Sequence, residues 1–69
     1  MGKTRKRATV GELLRAAREA AKLNQTELAE RAGLTQDRIS LIETDASDPK
    51  ASTIRKLADA LGVEPGELI

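Results

Sequence analysis

The chain has 69 residues, enough for one domain with a modest core, and it contains no Cys, His, Trp, Tyr or Phe. That composition excludes a disulfide framework, thiolate or imidazole metal sites and His- or Cys-based catalysis, and it leaves a core of Leu, Ile, Val and Ala. The net charge of +1 conceals a split: Lys3, Arg5, Lys6 and Arg7 crowd the start, and against eleven acidic residues the other eight basic ones leave residues 9–69 at −3.

Residues 1–8 read as a flexible basic N-terminal arm, which follows phosphates or enters a minor groove, or else serves as a disordered, solubilising terminus. No apolar run approaches the ~20 residues that span a bilayer. No apolar signal segment follows the basic start, so the chain is expected to be soluble and cytoplasmic, with no membrane partner.

Residues 9–69 are expected to form one domain. Thr9 with Glu12 has the spacing of a capping box, in which each side chain satisfies a backbone N–H of the first helical turn. Val10, Leu13, Leu14, Ala17 and Ala21 recur at helical spacing and predict a first helix running to about Lys22. Asn24 with Glu27 repeats the capping box for a second helix, buried through Leu28, Ala29 and Ala32 and stopped by Gly33. Thr35 caps a third helix of about 36–43, with Ile39 and Ile42 inward and Leu41 outward. A polar loop, Thr44 to Lys50, precedes a fourth helix marked by Ala51, Ile54, Leu57, Ala58 and Leu61 and closed by Gly62. Pro65 opens a short fifth, at the position where its missing N–H costs nothing. No segment has strand character. The expected fold is all-α, a compact bundle of five short helices. The terminal Leu68-Ile69 tip either folds back on the first and fourth helices, packs against a second copy, or marks the edge of a longer protein.

Residues 25–42 carry the functional signal. Two helices joined by a three-residue turn cross steeply, with little room at the contact. Ala29 is the small residue that crossing needs, Gly33 supplies a left-handed turn residue, and Ile39 and Ile42 fill the inner side of the second helix. Leu28 and Leu34 close the core. This spacing fits a DNA-binding helix-turn-helix, and also a tight helical hairpin in an unrelated bundle.

From Gly11 to Leu68 the chain resembles the Cro and phage-repressor type of helix-turn-helix domain, which is lambda-repressor-like in fold. The matching residues are Leu14, Arg18, Leu23-Asn24-Gln25, Glu27-Leu28-Ala29, Gly33, Ile39, Ile42-Glu43, Pro49 and the run Leu57-Ala58, Ala60-Leu61-Gly62-Val63. The resemblance implies a small transcriptional regulator, a repressor, binding double-stranded DNA with the third helix in the major groove. It implies that Gln25 contacts phosphate, that Gln36 reads a base edge, and that Arg38 grips a phosphate or a guanine. Asp37, Ser40, Leu41 and the cap Thr35 lie on the same face. It also implies a structural Arg18–Glu43 pair and a homodimer on two-fold sites.

Two features depart from the pattern. Asp45 stands where a Gly is usual, and no basic residue precedes Pro49 in Asp45-Ala46-Ser47-Asp48. Asp tolerates the left-handed conformation, but the change removes phosphate contacts and adds carboxylates near the DNA. An alternative function is an antitoxin- or coactivator-like module that binds a protein partner. Catalysis, cofactors and metal ions are not expected, because Glu12, Glu27, Glu30 and Asp59 all read as helix caps or solvated faces.

Overall fold

The structure is a computed structural model and describes residues 8–69. Lys3, Arg5, Lys6 and Arg7, expected in the basic arm, lie outside the described residues. Four α-helices follow one another: α1 (Val10–Ala20), α2 (Gln25–Ala32), α3 (Gln36–Glu43) and α4 (Ala51–Leu61). A 3-10 turn, Pro65–Leu68, ends the fold, and the described residues contain no strand.

Local chemistry sets the helix starts. The Thr9 hydroxyl accepts from Glu12 N at 3.1 Å while Thr9 N donates to the Glu12 carboxylate. Asn24 and Glu27 exchange the same pair of bonds at 2.7 and 2.8 Å. Each cap is worth about 1 kcal/mol. Thr35 accepts from Arg38 N at 3.1 Å and opens α3.

Two helix ends differ from expectation. The first helix stops at Ala20 rather than near Lys22, because Lys22 takes a left-handed conformation, φ 63°. Leu23 N then closes on Arg18 O at 3.2 Å, a wrap usually made with Gly, and the chain turns sharply toward the Asn24 cap. The expected fifth helix is a single 3-10 turn with Pro65 at its start. Its Glu67 N reaches Glu64 O at 2.9 Å.

The core comprises Leu14, Leu28, Ala29, Ala32, Ile39, Ile42, Ile54, Leu57, Ala58 and Leu68. Leu68 is fully buried, and the terminal turn packs on α1 and α4, while Ile69 stays 72% exposed. At the α2–α3 corner Gly33 has φ 72°, and Leu34 N reaches Ala29 O at 2.8 Å. The left-handed glycine ends α2 and lets α3 start at Gln36, directly after its Thr35 cap, with Ala29 buried at the crossing.

Candidate nucleic-acid interface

The exposed side of α3 carries Gln36, Asp37 and Leu41, with Thr35 exposed at its cap and Ser40 half-buried. Leu41 is 41% exposed, as its place between two inward isoleucines requires. Arg38 is only half-buried outward, and its Nε is shielded without a hydrogen-bond partner among the described residues. Its stem therefore lies along the domain rather than projecting freely.

Behind this face runs a chain of polar contacts that begins in the interior. Arg18 Nε and Nη2 donate to the two carboxylate oxygens of Glu43 at 2.6 and 3.0 Å. The side chains are 12% and 4% exposed, so this is a forked, buried pair joining the end of α1 to the end of α3. Arg18 Nη1 donates in addition to Leu23 O at 2.9 Å, fixing the α1–α2 connection. The Glu43 hydrogen bond holds the Arg18 pKa above the ordinary arginine value, against the opposing effect of burial. With the folded pKa raised, this stabilisation is complete below the unfolded pKa and is lost only as pH rises beyond it. It is therefore constant across neutral pH.

Glu43 Oε1 also accepts from Gln25 Nε2 at 3.0 Å, and Gln25 Oε1 accepts from Gln36 Nε2 at 2.7 Å. A carboxylate bound to a guanidinium accepts and does not donate, so Gln25 must turn its NH₂ toward Glu43. Its carbonyl then faces Gln36, which in turn must donate. Buried charge thus sets the polarity of two amides in series. Gln36 is left with its Oε1 and one N–H for an external group, and Gln25 with one N–H.

A second contact joins α1 to the end of α3. Gly11 is buried, and a Cβ added there would lie 2.6 Å from the carbonyl oxygens of both Ile42 and Glu43. Asp45, at φ 60°, accepts from Gly11 N at 3.1 Å and from the Thr9 hydroxyl at 2.8 Å. Sequence reasoning took Asp45 only as a tolerated left-handed residue whose charge hinders DNA. It missed Gly11, whose one local signal is a glycine in a helical first turn, where it costs about 1 kcal/mol relative to Ala. Among the described residues no group of acidic side chains is arranged to hold a metal ion.

The helix-turn-helix family model HTH_3 matches residues 14–68. The chain belongs to the helix-turn-helix family. It is 38% identical over 61 residues to the immunity repressor protein of Bacillus phage phi105, covering 88% of this chain and 42% of that protein. It is 49% identical over 51 residues to an HTH-type transcriptional regulator, y4dL, of Sinorhizobium fredii, covering 74% and 26%. The chain thus spans less than half the length of these two relatives. Among solved structures, it superposes on the restriction-modification controller protein C.AhdI of Aeromonas hydrophila with TM-score 0.84 and 37% identity, covering 87% of this chain and 91% of that one. The P22 c2 repressor in complex with a synthetic operator gives TM-score 0.84 at 28% identity, covering 91% and 96%. In this helix-turn-helix unit α2 is the supporting helix and α3 occupies the place of the helix that enters the major groove.

Proposed function

We propose that the protein is a transcriptional regulator, a repressor rather than an enzyme, that binds specific double-stranded DNA with α3 in the major groove. The observation that carries this reading is the Arg18–Glu43–Gln25–Gln36 chain. A fold has little reason to orient an exposed glutamine from a buried ion pair, whereas base reading requires it. The acceptor and donor left on Gln36 match N6 and N7 of adenine, a bidentate contact worth about 1–3 kcal/mol of discrimination. Gln25, at the start of α2, has one N–H and the positive end of the helix dipole for a phosphate. Asp37, Ser40 and Leu41 complete the groove-facing set with Arg38 beside them, Leu41 suiting a thymine methyl. Lys3, Arg5, Lys6 and Arg7 add phosphate contacts. The same topology in an operator-bound P22 repressor supports the docking.

The protein acts in the cytoplasm as a homodimer on two half-sites about one helical turn apart. Ile69 supports this: it is exposed and lines a shallow apolar groove with Pro49, Ile54 and Pro65, a surface for a second copy to cover.

The test is selection of the purified protein on a random duplex pool, followed by titration of the enriched site at increasing salt. The expected result is a two-fold sequence, bound with affinity that falls by about 0.9 log units per phosphate contact for each tenfold rise in salt. A pool that stays random, with weak binding indifferent to salt, overturns the reading and points to a protein partner instead.

A further inference from the structure

We infer that Asp37 is a specificity-determining residue of α3, selecting a cytosine amino group in the major groove while lowering affinity for DNA that does not offer one. The inference rests on the DNA-binding reading above and deepens it. At about 100° per residue, Asp37 lies roughly 170° around α3 from the midpoint of Ile39 and Ile42, which are both fully buried. No other residue of α3 points so directly away from the core, so a groove that receives this helix meets Asp37 foremost. The neighbouring carboxylates are engaged: Glu43 accepts from Arg18 and Gln25, and Asp45 from Gly11 N and the Thr9 hydroxyl. Asp37 is exposed, and among the described residues its carboxylate has neither a hydrogen bond nor an ion pair. A negative charge suits a helix's first turn, but Thr35 already accepts from Arg38 N, and Asp37 caps no N–H of that turn.

An ionised carboxylate accepts hydrogen bonds and donates none. In the major groove guanine shows N7 and O6 and thymine shows O4, all acceptors, which repel it. Adenine offers N6–H, but the N7 lone pair beside it faces the second carboxylate oxygen. Cytosine offers N4–H with no acceptor on its own groove edge, so it is the base Asp37 favours. The phosphates repel Asp37 whatever the sequence, and salt screens that repulsion only beyond about 8 Å at physiological strength. A duplex offsets the repulsion only where it places a cytosine opposite the residue, and other sequences are rejected by it. Gln36 and Asp37 thus divide the reading: an amide that accepts and donates for adenine, and a carboxylate that only accepts for cytosine.

The test is selection on the random duplex pool with the parent, Asp37→Ala and Asp37→Asn, with melting curves to verify folding. The parent is expected to prefer cytosine about tenfold over guanine or thymine at one position, separate from the position that Gln36→Ala alters. Asp37→Ala should lose that preference alone, and should bind an unrelated duplex of the same length roughly threefold more tightly. Asp37→Asn keeps the shape of the side chain and a polar first turn. It should move the preference at that position from cytosine toward adenine, a change that no purely structural role produces. A parent site without a required cytosine, preferences unchanged in both variants, or a loss of affinity shared equally by all sequences overturns the inference. Failure of the parent protein to select any duplex overturns the DNA-binding reading instead.

Discussion

Removing the buried carboxylate of Glu43 separates the structural and functional parts of the polar chain. Glu43→Ala leaves the Arg18 guanidinium, 12% exposed, without a counter-charge, and strips the partner from Gln25 Nε2. Breaking one side of a buried pair costs about 3–5 kcal/mol. At about 0.05–0.15 kcal/mol per residue, a domain of this length has roughly 3–10 kcal/mol in total. The melting temperature should therefore fall by more than about 12 °C, at 4–8 °C per kcal/mol for this size. The double replacement Arg18→Met with Glu43→Leu fills the same space without charge and should restore stability, since apolar substitutes for buried pairs are often neutral or stabilising. DNA readout should not recover. With no carboxylate to hold it, the Gln25 amide is free to turn over, and Gln36 loses its fixed polarity. The preference at the base that Gln36 meets should fall about tenfold, within the range of one bidentate contact. Thermal melts and competition binding with single-base variants of the selected site measure both effects. A double variant that is stable and keeps its base preference would refute the orienting role. A Glu43→Ala protein that melts within a few degrees of the parent would refute the energetics.

Other substitutions test the site and the frame that holds it. Gln36→Ala should change sequence preference while Gln25→Ala weakens all sequences alike, as repeat selections would reveal; unchanged affinity in both would exclude α3 as the reading helix. Ala29→Val, at a residue 3% exposed between α2 and α3, should cost about 1–3 kcal/mol by overpacking. Gly11→Ala gains about 1 kcal/mol of helix propensity but drives Cβ into two backbone carbonyls, so denaturant melts should show a net loss. Lys22→Gly should raise stability by about 0.5–1 kcal/mol, because Lys22 carries a left-handed φ of 63°.

What the sequence disclosed depended on how far apart the cooperating residues lie. Both capping boxes, the Gly33 turn and the outward Leu41 were legible because each is settled within a few residues. The end of the first helix was missed because the sequence offers no Gly there, and Lys22 adopts the left-handed conformation without that marker. The Arg18–Glu43 pair, 25 residues apart, came only through resemblance to a family. Gln25 was expected at a phosphate, but its tie to Glu43 and Gln36 depends on how α2 and α3 cross, which spacing alone does not give. Asp45 and Gly11 are 34 positions apart, and no local pattern announces that a loop acid will cap a distant helix.

The bonds Asp45 makes to the start of α1 bear on the charge around α3. Residues 9–69 carry −3, which argues against affinity for a polyanion. Two of the carboxylates nearest α3 are nevertheless engaged by protein groups, Glu43 by Arg18 and the exposed Asp45 by the start of α1. Asp37 and Asp48 are exposed as well. Asp37 sits in the first turn, where negative charge stabilises the helix. On the DNA-binding reading proposed above, part of the acidic charge beside α3 is already engaged within the protein. On that reading, phosphate affinity is expected to come mainly from Lys3, Arg5, Lys6 and Arg7, with the polar residues of α3 supplying selectivity. Neutralising those four residues should remove most of the salt dependence while leaving the order of preferred sequences intact.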